Sequence, residues 1–439
     1  MALLTQAPRG TQDILPAEAV KWQKLEEIMR QEAHLQGFGE IRTPVFEHTE
    51  LFLRSVGETT DVVQKEMYTF KDKGDRSITL RPEGTAGAVR AMLEHGLYND
   101  GLPLKLYYFT SCYRYEKAQK GRLREFHQFG VEMFGSASPL SDAQVIALAA
   151  SVFQRLGIRD LSLEINSIGC PTCRSRYTAA LKEYFSAYKD QLCDTCLSRL
   201  DRNPMRILDC KSPVCAGIAE GAPHVLDYLC EDCAAHFEGV KRSLEEIGIP
   251  FTVNPTIVRG LDYYTRTVFE FVSRATGSPL TVCGGGRYDG LVEEIGGPSM
   301  PALGFGLGLE RALMVLDAQK VKLEDTNPCK VFIAALGEKA SFAAFRMAHE
   351  LRLSGSIPAA CDVNGRGLKA QMKYADKIHA AYSMVLGDNE LESGEAVLKN
   401  METGEKHTVF IGDGFLEQFA AIEAEDDLKR DFPQLTQEE

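Results

Sequence analysis

The 439-residue sequence has no long hydrophobic run: its longest near-continuous apolar stretch, residues 145–153, is nine residues with a serine inside it. A membrane helix needs about 20 apolar residues, so no span is expected. Residues 1–10 contain no apolar core of the kind a secretory signal needs, and a cytoplasmic protein is expected. A basic excess is missing as well. Forty-nine Lys and Arg face 62 Asp and Glu, a net charge of −13, which argues against a protein that coats nucleic acid through its overall field. No Gly-x4-Gly-Lys-Ser/Thr string occurs, which removes the P-loop enzymes. Residues 304–308 (GFGLG) look like a dinucleotide loop, but Leu309 and Arg311 stand where the third glycine would have to be. Internal repeats and low-complexity tracts are absent too.

What is present is an ordinary globular composition, 44% apolar and 25% charged, in a chain long enough for two to three domains at about 150 residues each. Val20, Trp22, Leu25, Ile28, Met29 and Leu35 recur at helical steps after Pro16, with Gly37 as a stop. Residues 40–46, 77–80 and 104–116 predict strands, and 143–155 and 174–188 helices. Strand signals resume at 252–258, 265–272 and 280–283, with a helix over 308–316. After a polar linker at 319–328, strands at 330–336, 357–361, 378–386, 395–400 and 406–411 alternate with helices at 338–353 and 366–375. The expected organisation is a large mixed domain in two parts, 1–167 and 239–320, interrupted by a cysteine-rich insertion at 168–238. A compact α/β domain at 329–416 and a tail at 417–439 complete it. The tail holds eight acidic residues against Lys429 and Arg430, a net −6 and nearly half the imbalance of the chain.

Eight of the twelve cysteines fall in the insertion: Cys170-x2-Cys173, Cys193-x2-Cys196 and Cys230-x2-Cys233, with Cys210 and Cys215 between the second and third pairs. In a long chain without an export signal, reduced thiols or metal ligands are expected before disulfides. The nineteen residues between the first two pairs suit a four-cysteine zinc site. A structural zinc, two zincs, buried thiols and redox pairs all remain open. A zinc would stand in for a hydrophobic core in this short, polar segment.

The most informative stretch is residues 110–135, TSCYRYEKAQKGRLREFHQFGVEMFG. Strand alternation puts Cys112, Arg114 and Glu116 on one face, and on the return strand sets Gln128, Gly130 and Glu132 opposite the apolar Phe129, Val131 and Met133. The connecting loop is basic. Lys105, Arg114, Lys117, Lys120, Arg122 and Arg124 against Glu116 give +5 over 105–124. A guanidinium grips phosphate oxygens bidentately, and a basic loop beside it suits a polyanion.

This hairpin resembles motif 2 of class II aminoacyl-tRNA synthetases, and residues 304–311 (GFGLGLER) resemble their motif 3. Residues 9–16 (RGTQDILP), 259–271 (RGLDYYTRTVFEF) and 281–290 (TVCGGGRYDG) are similar to histidyl-tRNA synthetases of the bacterial type in particular. Residues 81–85 (RPEGT) and 365–376 (GRGLKAQMKYAD) add to a match over about residues 7–415. The resemblance implies an α+β catalytic domain with an antiparallel sheet, an inserted small domain and a C-terminal α/β anticodon-binding domain. It also implies a homodimer built partly through 42–52 (motif 1). The implied activity is ATP-dependent, AMP-forming ligation of L-histidine to the histidine tRNA, with Mg2+ accompanying ATP.

By the same resemblance, Arg259, Arg114 and Arg311 are the catalytic cations, Arg259 acting at the α-phosphate where sister enzymes use a metal ion. Glu83, Gly84, Thr85, Gln128, Glu132, Tyr263, Tyr264 and Tyr288 form the histidine site, with Glu132 and Tyr264 reading the imidazole; a carboxylate and a phenol suit a ring with two polar nitrogens. Arg114, Glu116, Arg122, Phe126, Arg259 and Arg311 hold ATP. Lys117, Gln119 and Arg124 in the basic loop meet the acceptor end of the tRNA. Arg366, Lys369, Gln371 and Lys373 lie along a helix that faces the anticodon. Two rival readings are a regulatory paralogue that binds histidine without charging tRNA, and a zinc-dependent RNA-binding scaffold with a vestigial pocket. The C-terminal segment and the 259–271 string speak against the first, and Arg114, Arg259 and Arg311 against the second.

Overall fold

Pro16 occupies the first turn of a helix, Pro16–Leu35, whose Trp22, Leu25, Met29 and Ala33 are buried at three- and four-residue steps. It opens a computed structural model that describes residues 5–57, 60, 62–208, 210, 212–257, 261–323 and 329–431. The chain divides into two units, Met1–Glu324 and Asp325–Glu439. Among the described residues no helix is long and apolar enough to cross a membrane.

The first unit is built on an eight-stranded sheet. From edge to edge its strands are Gly39–Glu40, Leu104–Tyr113, Glu125–Phe134, Ala302–Gly308, Leu280–Arg287, Thr265–Ser273, Leu161–Ser167 and Thr252–Val253. The six inner strands pair antiparallel, and each short edge strand joins parallel. One face packs Tyr107, Phe129, Val131, Met133, Phe269 and Phe305 against the helices Pro16–Leu35, Pro139–Arg155 and Leu309–Ala318. The alternation read from the sequence holds, because Phe129, Val131 and Met133 all go into that core.

The strand expected over 40–46 splits instead into Gly39–Glu40 and Phe46–His48, which belong to different sheets. Pro44 has no N–H to give a ladder, and the Arg81 guanidinium takes the carbonyls of Thr43 and Pro44 at 2.9 and 3.0 Å. The strand expected over 252–258 stops at Val253, and Pro255 follows it.

The insertion lies wholly within the first unit and shares an apolar core with the main domain, in contrast to the expectation that a zinc would stand in for a hydrophobic core there. Tyr177, Leu181, Phe185, Leu192, Leu200, Met205, Ile207 and Val225 form one buried cluster with Tyr263, Tyr264 and Tyr288. Its expected boundary at 238 falls inside a continuous helix, Glu231–Glu246. Cys233 sits near the start of that helix, while Phe237, Val240 and Leu244 further along it enter the main core.

In the second unit a five-stranded sheet runs Ala359–Cys361, Val331–Ala335, Tyr382–Leu386, Glu395–Asn400, Lys406–Phe410. The segment read as an acidic tail from 417 is, through residue 431, part of the helix Phe415–Asp431. Phe415 and Phe419 are buried in the core, and Asp426 accepts bonds from Tyr382 (2.7 Å) and Asn400 (2.8 Å). Glu417 and Glu425 are exposed on the solvent face of this packed helix; residues 432–439 lie outside the described residues.

Candidate active site

The hairpin and the strand Ala302–Gly308 lie side by side in a register that puts Thr110 beside Gln128, Gly130 beside Gly306, and Glu132 beside Gly304. These glycines clear space for larger neighbours. A Cβ on Gly304 would fall 2.0 Å from a Glu132 carboxylate oxygen, and one on Gly130 would fall 2.1 Å from the Tyr108 ring.

Above this floor is a cavity of about 570 Å3 lined by Glu83, Thr85, Arg114, Glu116, Arg122, Phe126, Gln128, Tyr263, Tyr264 and Arg311, all expected from the sequence. One end is cationic. The Arg114 guanidinium lies 5.3 Å from the Phe126 ring centre, and its Nε donates to the Pro82 carbonyl (2.9 Å). Arg311 donates to the carbonyls of Gly121 (3.1 Å) and Thr281 (2.7 Å), and burial, followed by the charge of Arg122, lowers its pKa. An anion placed here would therefore find arginines already aimed by backbone carbonyls. Arg122 pairs with Glu116 at 3.1 Å.

Another part of the lining is acidic and phenolic. Glu83 accepts from the backbone N–H of Thr85 (2.7 Å) and Ala86 (2.8 Å) at the start of the helix Thr85–Glu94, and burial pushes its pKa up. Cys112 donates to the Gln128 side-chain oxygen (3.3 Å), and burial pushes its thiol up to about 12, so it stays protonated.

Glu132 and Tyr288 do not line the cavity but stand behind it. Glu132 is 0% exposed; Tyr108 donates to one of its oxygens at 2.8 Å and Tyr288 to the other. Loss of hydration pushes the Glu132 pKa up to about 8, against the lowering effect of those bonds. Gly84 likewise sits behind the wall, packed against the Tyr108 ring.

Tyr108 was missed in the sequence, although the alternation that picks out Cys112 and Arg114 reaches Thr110 and Tyr108 two and four residues earlier. Glu164, Asn254, Glu270, Thr281 and Glu310 also line the cavity and were missed. Asn254 donates to Glu164 (2.7 Å) and Thr281 to Glu270 (2.9 Å). No local pattern marks these, since each is a polar residue on a half-buried strand, loop or, for Glu310, the first turn of the helix Leu309–Ala318.

Of the residues expected to meet tRNA, Lys117 and Gln119 are exposed on the basic loop. Arg124 is not free to reach out: it stacks 3.9 Å from the Tyr115 ring centre and donates to the Glu116 carbonyl. In the second unit Lys369 and Lys373 are exposed, but Arg366 lies over the Tyr374 ring and pairs with Asp362. Gln371 is buried, exchanging bonds of 2.8 Å with both backbone groups of Ala335, so that residue is a strut of the fold. Arg287 is a strut as well. It is 1% exposed and held by Asp142, Ser136 and Ser141. Arg259 lies outside the described residues.

The eight insertion cysteines form two groups, Cys170, Cys173, Cys230 and Cys233, and Cys193, Cys196, Cys210 and Cys215. The first pair is joined to the third rather than to the second as its spacing had suggested. The Pro171–Ser186 and Glu231–Glu246 helices begin side by side, whereas Cys210 and Cys215 return locally to the second pair.

Comparison with known proteins agrees with the architecture. The profile of the histidyl-tRNA synthetase family matches residues 10–203 and 214–312, and that of the anticodon binding domain matches residues 330–415. A histidine–tRNA ligase of Acetivibrio thermocellus is 56% identical over 93% of this chain and 97% of its own length. One of Clostridium novyi is 52% identical over 95% and 99%. The crystal structure of apo S. aureus histidyl-tRNA synthetase superposes with a TM-score of 0.80 at 41% identity, covering 95% of this chain and all of that one. The chain belongs to the histidyl-tRNA synthetase family.

Proposed function

We propose that this chain is a histidine–tRNA ligase. It would join L-histidine to ATP as histidyl-adenylate with release of pyrophosphate, then pass histidine to the 3′ end of the histidine tRNA. The observation that carries the reading is one cavity lined both by the clustered Arg114, Arg122 and Arg311 and by the buried Glu83 with the phenols of Tyr108, Tyr263 and Tyr264. The first set suits a triphosphate and the second an ammonium and an imidazole.

In this reading Glu83, Thr85 and Gln128 take the α-amino end of histidine. Tyr264 meets the imidazole, and Glu132 acts on that side of the pocket through Tyr108 and Tyr288. Arg114 bridges the substrate carboxylate and the α-phosphate, placing nucleophile and electrophile together. Phe126 and Glu116 seat the adenine, Arg122 and Arg311 hold the outer phosphates, and Arg259 steadies charge on the α-phosphate by the family resemblance. Glu270, near Arg311, offers a hard oxygen ligand for Mg2+, which neutralises phosphate charge when bound. The exposed Lys117 and Gln119 would meet the tRNA acceptor end. Lys369 would approach the anticodon, with Arg366 and Arg124 in supporting places.

We read the chain as a homodimer, supported by the exposed apolar Val45 and Phe46 in the motif 1 segment. We further read the insertion as carrying structural zinc rather than redox pairs, supported by sulfurs held 3.6–4.0 Å apart.

Histidine-dependent exchange of pyrophosphate into ATP, followed by charging of histidine tRNA, tests the reading. Folded protein showing neither activity would refute it. Arg259→His should depress adenylate formation far more than ATP or histidine binding, and unchanged exchange would remove its role.

A further inference from the structure

The two cysteine groups are geometrically alike. In each, all four sulfurs lie within 4.8 Å of one another. Cys170 is 3.6 Å from Cys173 and 4.0 Å from Cys230, and Cys193 is 3.9 Å from Cys210. Zinc–sulfur bonds of about 2.3 Å in a tetrahedron put sulfurs about 3.8 Å apart, whereas a disulfide needs about 2.05 Å. Backbone amides point at the sulfurs: Cys230 N–H to Cys173 (3.1 Å), Cys193 N–H to Cys215 (3.3 Å) and Ser212 N–H to Cys210 (3.5 Å). Four soft sulfurs, with hydrogen-bond donors around them, match tetrahedral zinc.

Each group adjoins a contact to the loop that leads into Tyr263 and Tyr264. Arg174, the residue after Cys173, donates to the Tyr264 carbonyl at 3.0 Å. Asn203 and Arg206, between Cys196 and Cys210, donate to the Asp262 carboxylate at 3.3 and 3.0 Å. Arg206 is tied back to the second group on both sides. Arg199, on the helix Asp194–Arg202 that starts at the Cys193 knuckle, donates to the Arg206 carbonyl (3.2 Å), and Cys210 N–H donates to the Ile207 carbonyl (3.0 Å). Ile168, Arg174, Asn203, Met205, Arg206, Leu261 and Asp262 all border one small cleft beneath the loop. Arg206 and Cys210 both fall in residues 204–213, between the two stretches that the family profile matches.

We propose that the insertion holds two zinc ions, one per cysteine group, and that each fixes one grip on the loop 261–264, making Arg174 and Arg206 positioning residues for the histidine end of the cavity. The proposal rests on reading that end as the histidine site.

Full-length protein purified without metal-affinity steps should carry two zinc equivalents per chain by mass spectrometry. Mercurial titration of its thiols, read with a zinc indicator, should release both. This count needs no variant to fold, and one equivalent or fewer, or iron in place of zinc, overturns the two-ion assignment. Replacing Cys193 and Cys210 by serine should leave one ion, while Cys361→Ser, in the other unit, should leave two. Arg206→Ala should raise the KM for histidine in pyrophosphate exchange about tenfold, the scale of one charge-assisted bond, with the KM for ATP unchanged. Arg206→Lys should recover part of the loss. Equal movement of both constants, or of neither, overturns the grip. Absence of histidine-dependent exchange in the wild type would refute the ligase reading instead, with the zinc count still informative.

Discussion

Replacing Glu132 with glutamine should leave the ligand-free protein near parity with the parent in mild acid and make it more stable in mild alkali. The Glu132 carboxyl is fully buried, and burial lifts its pKa from 4.5 to about 8 despite the bonds from Tyr288, Thr85 and Tyr108. An unfolded chain gives up that proton near pH 4.5 and the folded one near pH 8. Between those values the folded state binds more protons, so this group's contribution to stability falls as pH rises. At about 1.36 kcal/mol per pH unit, the penalty is about 1 kcal/mol at pH 5.5 and about 5 kcal/mol above pH 8. Glutamine has no proton to lose, but its amide nitrogen cannot accept where either carboxyl oxygen can, a loss of about 1–2 kcal/mol at every pH. The variant should then match the parent at pH 5.5 and exceed it by about 3 kcal/mol at pH 8.5. Urea unfolding followed by tryptophan fluorescence measures this. The single tryptophan, Trp22, lies in the main core of the first unit and reports its unfolding alone. A difference in stability that does not change between the two pH values would refute the idea that Glu132 holds its proton through burial. The same variant should bind histidine more weakly, trading function for stability.

Other substitutions probe other contacts. Gly304→Ala would set a methyl 2.0 Å from Glu132 and 2.2 Å from the Val131 carbonyl; it should cost about 3 kcal/mol by urea unfolding and abolish histidine-dependent exchange, and a neutral effect would refute the close approach. Arg287→Met leaves Asp142 buried without its main cation and should cost about 3–5 kcal/mol, read as a lower urea midpoint in the tryptophan signal. Gln371→Ala removes both bonds to Ala335 and should cost the second unit about 2–3 kcal/mol, visible as faster hydrogen exchange at 331–335. Burial opposes a charge on His127, but the bond and charge of Glu310 prevail and raise its pKa. The stability this pair adds is complete below pH 6.5 and fades as pH rises through the raised value; Glu310→Gln should move the imidazole titration down in NMR, and no movement would refute the pairing.

Much of the cavity was legible in the sequence because the information is local. Period-two alternation in the hairpin separates Gln128 and Glu132 from Phe129, Val131 and Met133, and the cluster of arginines is a matter of counting. The strand Ser77–Leu80 and the helix Glu338–Ser354 followed for the same reason, since their periodicity and bounding residues lie within one short window. The same window misleads where partners are remote. Phe415–Asp431 reads as an acidic tail until Phe415 and Phe419 find the second core, and residues 40–46 read as one strand until Arg81 takes two of their carbonyls.

By itself the sequence determined the two-unit order, the sheet faces, the family and ten of the side chains that line the cavity. These follow from spacing along the chain and from short strings whose residues are neighbours. Only the tertiary structure decided that Cys173 is grouped with Cys230 and Cys233, that Glu132 is enclosed by Tyr108 and Tyr288, and that Arg287 serves Asp142 rather than a ligand. Those partners lie tens to more than a hundred residues apart. A buried charge or thiol takes whichever polar group packing brings to it, and no periodicity in the chain encodes that choice.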